Sequence, residues 1–468
     1  MYGALYRHVL LPLFDGVIKR RRTLEYWRQA EASQWWPRER LEAFQWEALL
    51  RLLQHAAATC PYYRETWTAR KLSPQRLERW SDFLAWPLIT RETIRQHRLA
   101  MRTTLNLPRL AKATGGSSGE PLQFDLDWGS NDRRTAMMYR GYGWAGGAPG
   151  SKQLYVWGGH VGKVPAWKRW KAALHRRFER QIVLNCFDFT PQRMQRHLER
   201  WNRYRPEVVV GYTNPLCELA RYVRATGRHV AAPRSIIVGA EKLHDFQRQL
   251  LQEVFQAPVF ETYGSREFML IGAECDRHCG LHLSVENLYV EIVDDEGWPV
   301  PEGTEGNVVI TDLFNYGMPF VRYVTGDRAI AGFENCPCGR GLPLLKKVVG
   351  RQLDVLETPD GRKVPGEFFP HLLKEFPCVR RFQVVQTAAD RITLKLVVEG
   401  GFTLADHDLL LREIRNCVGT AVEVAFELVD DIPLTPAGKH RVVVREIPPR
   451  SADAVAHTNH ELQAARSG

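Results

Sequence analysis

The chain has 468 residues, of which 44% are hydrophobic and 25% are charged, a composition typical of soluble globular proteins. This composition excludes a wholly disordered, collagen-like or coiled-coil protein, and the length predicts two or three domains. The 64 basic and 53 acidic residues give a net charge of +11, which favours polyanionic partners such as nucleotides, CoA or an anionic membrane surface, or else serves solubility alone. No zinc-finger, basic-zipper or RNA-recognition signature accompanies the charge, so we expect no nucleic-acid partner.

The N-terminal segment is basic and amphipathic. No apolar run in the chain approaches the ~18–20 residues that span a bilayer. The apolar stretch at the start is interrupted by Arg7 and His8, and its basic cluster at 19–22 follows the stretch, whereas a secretory signal has its positive charge first. We therefore expect a cytoplasmic protein. The first 22 residues have two candidate uses, contact with a membrane surface or packing on the parent domain.

The first half of the chain predicts helices followed by an α/β sheet. Residues 41–58 have apolar side chains at helical spacing, and the predicted helix ends near Cys60-Pro61. The basic run at 168–180 predicts a solvated helix face. From 150 to 265, short apolar runs alternate with helical stretches, which predicts a parallel sheet. The predicted strands are 154–157, 208–210, 236–238 and 258–260, and the clearest helix between them is 191–204.

The second half predicts a β-rich segment and then a separate α+β unit. Strands are predicted at 288–293 and 306–311, joined by turn-rich residues, which indicates a smaller β-rich subdomain. After Gly350-Arg351 the pattern starts again, with predicted strands at 381–386, 392–398 and 422–428 and a helix at 406–417. The predicted fold class is therefore α/β, with a large N-terminal α/β domain of several subdomains over 1–349 and a small α+β domain over 350–447. We expect the tail at 448–468 to be disordered.

Four of the nine cysteines cluster in the β-rich half of the chain: Cys275, Cys279, Cys336 and Cys338. The pattern Cys-x3-Cys-x2-His over 275–282, together with Cys-x-Cys over 336–338, has the sulfur and imidazole count of a closed tetrahedral Zn²⁺ site. Free buried thiols are the alternative. Because four protein ligands leave no open position, we expect such a zinc ion to be structural.

The segment T-G-G-S-S-G-E-P at 114–121 is the strongest candidate for ligand binding. Its glycines let the backbone approach a ligand closely, and successive amides in such a loop form a nest that holds phosphate. The hydroxyl groups of Thr114, Ser117 and Ser118 add donors. The segment is neither a Walker A loop nor a dinucleotide-binding fingerprint, and a flexible linker is the alternative.

Three further segments carry groups suited to a nucleotide. The sequence E-T-Y-G-S-R-E at 261–267 directly follows a predicted strand, and in open α/β sheets ligands bind at the carboxyl ends of strands. An aromatic ring there can stack on a base, and a carboxylate can hold Mg²⁺. The sequence R-Y-V-T-G-D at 322–327 places a carboxylate that can accept ribose hydroxyls, and L-T-P-A-G-K-H-R at 434–441 presents one lysine. Each segment alone also fits an ordinary polar loop.

In this order and spacing, the four segments resemble the adenylate-forming superfamily of acyl-CoA synthetases. The resemblance is closest to the phenylacetate–CoA ligase-like branch and, within it, to the capsular-polysaccharide-biosynthesis type. It extends over roughly residues 1–448. Further similar stretches are Y-x-x-V-L-L-P-L-F-D-G at the start, P-Y-Y-R at 61–64, G-A-E at 239–241, G-R-x-x-D at 350–354 and T-P-D-G-R at 358–362.

The resemblance implies a two-step reaction. ATP and a carboxylic acid give an acyl-adenylate and pyrophosphate, and the thiol of CoA then displaces AMP. Lys439 would bridge the incoming carboxylate and the phosphate oxygens, and Glu267 would hold Mg²⁺. The Gly/Ser loop would bind the β- and γ-phosphates through Thr114, Gly115, Gly116, Ser117, Ser118 and Gly119. Asp327 and Arg351 would bind the ribose. The adenine site would be lined by Gly239, Ala240 and Glu241, and Tyr263 with Gly264 would lie at the adenine or acyl pocket. The implied zinc ligands are Cys275, His282, Cys336 and Cys338, which leaves His278 and Cys279 as spares.

The resemblance also implies that the C-terminal domain is mobile and rotates between the two half-reactions about a hinge at 350–354. Many relatives read G-R-x-D-D there, whereas this chain has Leu353 in place of the first aspartate. That departure leaves an amine, an alcohol or a carrier protein as the alternative acceptor to CoA. A nucleotide-binding scaffold without activity is the remaining alternative, and the joint presence of Lys439, Glu267 and Asp327 disfavours it.

Overall fold

The computed structural model describes residues 2–113, 122–157, 166–186, 191–332, 335–351, 355–359, 363–365, 368–373, 376, 378–433 and 442–446. The chain forms two compact units, which meet in sequence at Gly350 and Arg351. The predicted Gly/Ser loop, the lysine-bearing loop, the hinge position Leu353 and the predicted disordered tail lie outside the described residues. Within the described residues, no helix combines the length and apolarity that crossing a membrane requires.

The first unit begins with helices, as predicted. They are α1 (Tyr2–Leu5), which continues as π-helical turns over Tyr6–Leu10 and Pro12–Ile18, then α2 (Thr23–Ser33), α3 (Arg38–Thr59), α4 (Pro61–Ala69), a 3₁₀ turn (Pro74–Arg76), α5 (Trp80–Leu84) and α6 (Arg91–His97). One face of α3 is buried, with Leu49, Leu52 and Ala56 fully covered, which is why its apolar residues recur at helical spacing. The helix ends before Pro61, whose ring starts the first turn of α4.

A parallel sheet follows, as its alternating pattern predicts. The elements in chain order are β1 (Arg109–Ala113), β2 (Gln123–Asp127), α7 (Trp128–Trp144), β3 (Gln153–Trp157), α8 (Ala166–Phe178), β4 (Gln181–Asn185), α9 (Pro191–Tyr204), β5 (Val208–Tyr212), α10 (Thr213–Thr226), β6 (Ser235–Gly239), α11 (Asp245–Phe255) and β7 (Val259–Ser265). Strands β7-β6-β5-β3-β4 lie side by side and pair in parallel. All residues of β5 and β6 are buried, which explains their continuous apolar runs. Strands β1 and β2 form an antiparallel hairpin whose ends bracket the Gly/Ser loop.

The β-rich segment extends this same sheet. Its strands are β8 (Met269–Glu274), β9 (Leu281–Leu283), β10 (Leu288–Val293), β11 (Glu305–Asp312), β12 (Tyr323–Ala331) and β13 (Leu344–Arg351). Because β8 pairs antiparallel with β7, all eleven strands form one sheet in the order β10-β11-β12-β13-β9-β8-β7-β6-β5-β3-β4. The sequence predicted a smaller β-rich subdomain within the N-terminal domain, and its strands follow the parallel strands through the pairing of β8 with β7.

The second unit has the predicted α+β composition. Its elements are β14 (Val355–Glu357), β15 (Lys363–Pro365), α12 (Phe368–Leu373), β16 (Val379–Ala388), β17 (Arg391–Val398), α13 (Leu404–Val418), β18 (Glu423–Leu428) and β19 (Val443–Arg445). The strands pair in the order β18-β17-β16-β19. Helix α13 begins at the N-cap Thr403, whose side chain accepts from the backbone N–H of Asp406, and it buries Leu410 and Ile414 in the core of this unit.

Candidate functional site

Two of the predicted nucleotide-binding residues lie at the end of β7. Tyr263 is buried on this strand, and Gly264 follows it at an irregularity in the pairing with β8. A Cβ atom on Gly264 would lie 2.1 Å from the carbonyl oxygen of Met269, so only glycine fits this close approach. The chain then turns sharply and places Glu267 between the two strands. Gly264 thus allows the tight turn that brings Tyr263 and Glu267 close together at the end of β7.

Tyr263 contacts the predicted ribose-binding carboxylate directly. Its hydroxyl group donates a hydrogen bond of 2.8 Å to Oδ2 of Asp327, and both side chains are buried. Asp327 is on β12, just after Gly326, whose φ is +81° where the pairing of β12 with β11 is irregular. In the pairing order, β13, β9 and β8 separate β12 from β7. The sheet therefore curves, and it brings a ring and a carboxylate together that are distant in the sequence.

Glu267 is buried beside a cation that the sequence reasoning missed. The guanidinium group of Arg91 lies 3.8 Å from Oε1 of Glu267. Arg91 opens α6, after the N-cap Thr90. Backbone hydrogen bonds of Ile89 to β12 attach the segment that precedes α6 to the sheet. Burial, followed by the charge of Glu267, raises the pKa of Tyr323 on this strand, so three titratable side chains share one small region.

A group of basic side chains lies next to Glu267 and the hairpin that brackets the Gly/Ser loop. Lys112 is on β1, and its pKa is lowered by partial desolvation and by the positive charges of Arg134 and Arg266. Arg134 donates to the backbone carbonyl of Glu267 and pairs with the buried carboxylate of Asp312. Cations that raise one another's electrostatic energy are stabilised by an anion placed among them. Because Arg134 is already paired with Asp312, Lys112 and Arg266 are the cations of this group that suit the charge of a polyphosphate.

Residues 239–241 lie at the end of β6, the strand next to β7. A Cβ atom on Gly239 would lie 2.6 Å from Oγ1 of Thr262, so glycine is required for the close approach of the two strands. Ala240 has φ of +66°, which turns the chain out of the sheet. The carboxylate of Glu241 accepts from the backbone N–H of Asn214 at 2.8 Å, in the first turn of α10. The side chain of Glu241 thus holds a helix end, while Gly239 lies directly against β7.

A second cluster brings together the four predicted zinc ligands. One ligand atom from each of Cys275, His282, Cys336 and Cys338 lies within 4.8 Å of all the others. The Sγ atoms of Cys275 and Cys336 are 3.7 Å apart, and Sγ of Cys338 is 3.3 Å from Nε2 of His282. Tetrahedral coordination with Zn–S bonds of about 2.3 Å requires a spacing of about 3.8 Å between sulfur atoms. The donor set and these two distances therefore fit a tetrahedral zinc ion.

The groups around this cluster prepare it for a metal. Nδ1 of His282 lies 3.3 Å from the carbonyl oxygen of Leu342, which fixes the ring and leaves Nε2 as the ligand atom. Burial lowers the pKa of His282 to about 4, so the imidazole is neutral near pH 7. Backbone N–H groups of Arg277 and Arg340 donate to the sulfur atoms of Cys275 and Cys338. These bonds stabilise thiolates, the form that binds metal.

The two spare residues of the sequence pattern lie apart from the four ligands. Nδ1 of His278 is 3.2 Å from the carboxylate of Glu274, and the exposed Cys279 contacts the backbone carbonyl of Arg277. Neither belongs to the four-residue group. Sequence spacing left this choice open because residues 275–282 offer four candidate donors, of which the cluster uses two.

Several predicted site residues lie outside the described residues. They are Thr114, Gly115, Gly116, Ser117, Ser118 and Gly119 of the Gly/Ser loop, and Lys439. The side chain of Arg351 is likewise outside them. Their contacts with ligand stay predictions of the sequence. The structure joins Tyr263 to Asp327 by a hydrogen bond, places Arg91 and Arg134 against Glu267, and places Lys112 within electrostatic reach of Arg134.

The chain is similar in sequence to one known domain family and to known ligases. Residues 356–446 match the family described as the CapK C-terminal domain. The chain is 25% identical over 445 residues to a phenylacetate-coenzyme A ligase of Thermus thermophilus, covering 87% of this chain and 97% of that protein. It is 24% identical over 382 residues to protein CapK of Staphylococcus aureus, covering 77% of this chain and 80% of that protein.

Solved structures give the fold. A 2-hydroxyisobutyryl-CoA ligase in the postadenylation state superposes with a TM-score of 0.70 at 20% identity, covering 92% of this chain and 94% of that one. An anthranilate CoA ligase in complex with anthranoyl-AMP has a TM-score of 0.51 at 15% identity and covers 76% of this chain and 68% of that one. The first likeness covers nearly the whole of both chains and the second about three quarters of this one, so the fold is that of these CoA ligases.

Proposed function

We propose that this chain, a homologue of phenylacetate–CoA ligases and of CapK with the fold of adenylate-forming ligases, activates a carboxylic acid as an acyl-adenylate and transfers the acyl group to CoA. One observation carries the proposal. The end of β7 brings together an aromatic ring, a buried carboxylate, a second carboxylate and a group of cations, beside a hairpin that brackets a Gly/Ser loop. Each of these groups suits one part of ATP, which supports the proposal.

In the first step, a carboxylate oxygen of the substrate attacks the α-phosphorus of ATP. A new O–P bond forms, the bond between the α-phosphorus and its bridging oxygen breaks, and pyrophosphate leaves with the electron pair. Negative charge builds up on the phosphoryl oxygens, so positive groups aimed at them lower the barrier. We assign this role to Lys439. The Gly/Ser loop, Lys112 and Arg266 hold the leaving phosphates, and Asp327, oriented by Tyr263, accepts the ribose hydroxyls.

The proposal includes two metal ions, Mg²⁺ at the nucleotide site and a structural Zn²⁺. Mg²⁺ offsets triphosphate charge when bound, and the buried carboxylate of Glu267 fits it because carboxylate oxygen is a preferred ligand of this ion. A structural Zn²⁺ fits the cluster of Cys275, His282, Cys336 and Cys338, where it ties β8 and β9 to the loop before β13. Thiolate ligands of this kind persist in a reducing compartment, which agrees with the cytoplasmic location expected from the sequence.

In the second step, the sulfur of CoA attacks the acyl carbon, a thioester forms, and AMP leaves. The substrate is a small carboxylic acid whose identity the fold does not determine. An amine, alcohol or carrier-protein acceptor is a second candidate. Two observations favour it: Leu353 replaces an acidic residue at the predicted hinge, and the C-terminal unit matches the CapK domain.

Acceptor dependence separates the two candidates. The protein is incubated with ATP, Mg²⁺ and a panel of aromatic and aliphatic acids, and AMP release is followed with and without CoA. CoA-dependent AMP release with a stable acyl-CoA product is the expected result. AMP release that ignores CoA and depends on an added amine, alcohol or carrier protein would instead establish the second candidate.

A further inference from the structure

The N-terminal helix and helix α8 form one exposed surface, which we call the helix pair (residues 2–18 and 166–178). The hydroxyl group of Tyr2 donates to the backbone carbonyl of Phe178 at 2.9 Å. The ring of Phe178 packs on those of Tyr6 and Phe14, with centroids 5.1 and 5.3 Å apart. Phe14 also contacts the ring of His175 at 5.7 Å. These contacts fix the two helices against each other.

Each helix of the pair carries an apolar stripe that faces solvent. On the N-terminal helix, Leu5, Val9, Leu13 and Val17 are exposed and recur every four residues, which is close to one helical turn. On α8, Trp167, Trp170 and Leu174 are exposed at the spacing i, i+3, i+7, and Trp170 is 70% accessible. Large apolar side chains exposed in a row mark an interaction surface, because their contact with water is unfavourable in free energy.

Positive charge surrounds these stripes. Residues 1–22 and 166–180 hold eleven Lys and Arg against two Asp and Glu, so these short stretches carry +9 of the net +11 of the chain. Neither of the two acidic side chains is fully exposed. Asp15 is buried and lies 3.7 Å from Arg21, and Glu179 lies 3.4 Å from His175. Arg21, Arg22 and Arg180 also pair with carboxylates outside these stretches. Exposed cations remain beside the stripe of α8, namely Lys168, Lys171 and Arg176, so apolar and cationic groups lie together there.

A groove between the helices combines the same two properties. It has a volume of about 460 Å³ and is lined by Tyr2, Leu174, Arg177, Phe178 and Arg180. Aromatic and aliphatic walls beside two guanidinium groups match a phospholipid, which joins an acyl chain to an anionic phosphate. Tryptophan and arginine side chains are also the residues that sit at the level of lipid headgroups.

We propose that the helix pair docks this protein on the surface of an anionic lipid bilayer. The stripes insert among the headgroups, and the surrounding lysine and arginine side chains bind lipid phosphates. This is a surface attachment, since no helix among the described residues is suited to cross a membrane. The choice of a bilayer over a second protein rests on the charge. Two copies of this face would bring their excess positive charges together, whereas an anionic bilayer neutralises them.

Vesicle flotation of the full chain tests the proposal. Phosphatidylcholine vesicles, with or without phosphatidylglycerol, are mixed with the protein at low and high salt. Two variants address the two parts of the surface: Trp167→Ala with Trp170→Ala for the stripe, and Lys168→Glu with Lys171→Glu for the charge. Matched controls make the same changes on other exposed sites, Trp298→Ala and Lys71→Glu with Arg76→Glu. Melting temperatures verify that every variant is folded.

The wild-type chain is expected to float with the phosphatidylglycerol vesicles and to lose most of that binding at high salt. Each test variant should bind about tenfold more weakly or worse, whereas the controls should match the wild type. Absence of wild-type binding would overturn the proposal, as would equal binding to neutral vesicles. A wild-type dimer that the Trp167→Ala, Trp170→Ala variant dissociates would assign the face to a second copy instead. Flotation, its dependence on salt and lipid charge, and dimer dissociation all measure binding. Their outcome therefore does not depend on the proposed acyl-adenylate activity.

Discussion

The hydrogen bond between Tyr263 and Asp327 links the fold to the proposed nucleotide site, so Tyr263→Phe tests both. The change removes one hydroxyl group and keeps the ring. The lost bond is 2.8 Å long, joins two buried side chains and is accepted by a carboxylate. Hydrogen bonds to charged groups contribute about 1.5–3 kcal/mol, which corresponds to about 10- to 150-fold in an equilibrium constant. Because Asp327 would lose the group that orients it towards ribose, this loss should fall on ATP affinity.

The assay is acid-dependent exchange of labelled pyrophosphate into ATP, measured over a range of ATP concentrations. Tyr263→Phe should raise the KM for ATP by about 10- to 150-fold and change the KM for the acid little. Tyr155→Phe is the matched control, since it removes a part-buried 2.8 Å hydrogen bond from a tyrosine hydroxyl group to Gln153 on β3. An unchanged KM for ATP in folded Tyr263→Phe, or an equal rise in the control, would refute the role given to this bond.

Two further predictions concern the metal cluster and a buried carboxylate. Metal analysis should find about one zinc per chain. Cys336→Ser should lower both the zinc content and the melting temperature, whereas Cys279→Ser, outside the cluster, should change neither. A stable metal-free wild-type protein would contradict this prediction. Burial, then the charge of Glu274, raises the pKa of Glu261 from its ordinary value of 4.5 to about 7. The folded protein thus keeps a proton that the unfolded chain releases, so stability falls as pH rises from 4.5 through 7. Glu261→Gln should therefore stabilise the fold at pH 8 by up to about 3 kcal/mol and have little effect at pH 4, which thermal melts at the two pH values will measure.

Local patterns in the sequence predicted the elements whose residues are uniformly buried or clearly periodic. Helix α3 shows its buried face as a 3.6-residue period, and β5 and β6 show full burial as unbroken apolar runs. The hairpin strand β1 escaped prediction because all but one of its residues are exposed and no alternation marks it. The continuity of the eleven-stranded sheet escaped as well, since strand pairing depends on contacts that no local pattern records.

Some residues of the candidate site were predicted from the sequence, and others are revealed only by the fold. The sequence predicted Tyr263 and Glu267 because they follow the end of a predicted strand, and Asp327 because it lies in the segment R-Y-V-T-G-D. Arg91 and Lys112 carry no such mark, because their place beside Glu267 and the basic group comes from the packing of α6 and the hairpin on the sheet. For the metal cluster, spacing gave the right loops but left the choice among six donors open, and only the fold separates His282 from His278.

The central claim is that this chain forms an acyl-adenylate at the β7 site with Lys439 at the α-phosphate. The most direct measurement is pyrophosphate exchange across a panel of acids, paired with thioester formation from a preformed acyl-AMP. The wild-type protein should exchange pyrophosphate only with its acid substrate, and Lys439→Ala should abolish that exchange while largely keeping thioester formation. Absence of exchange with every acid tested, or an equal loss of both steps in Lys439→Ala, would contradict the account.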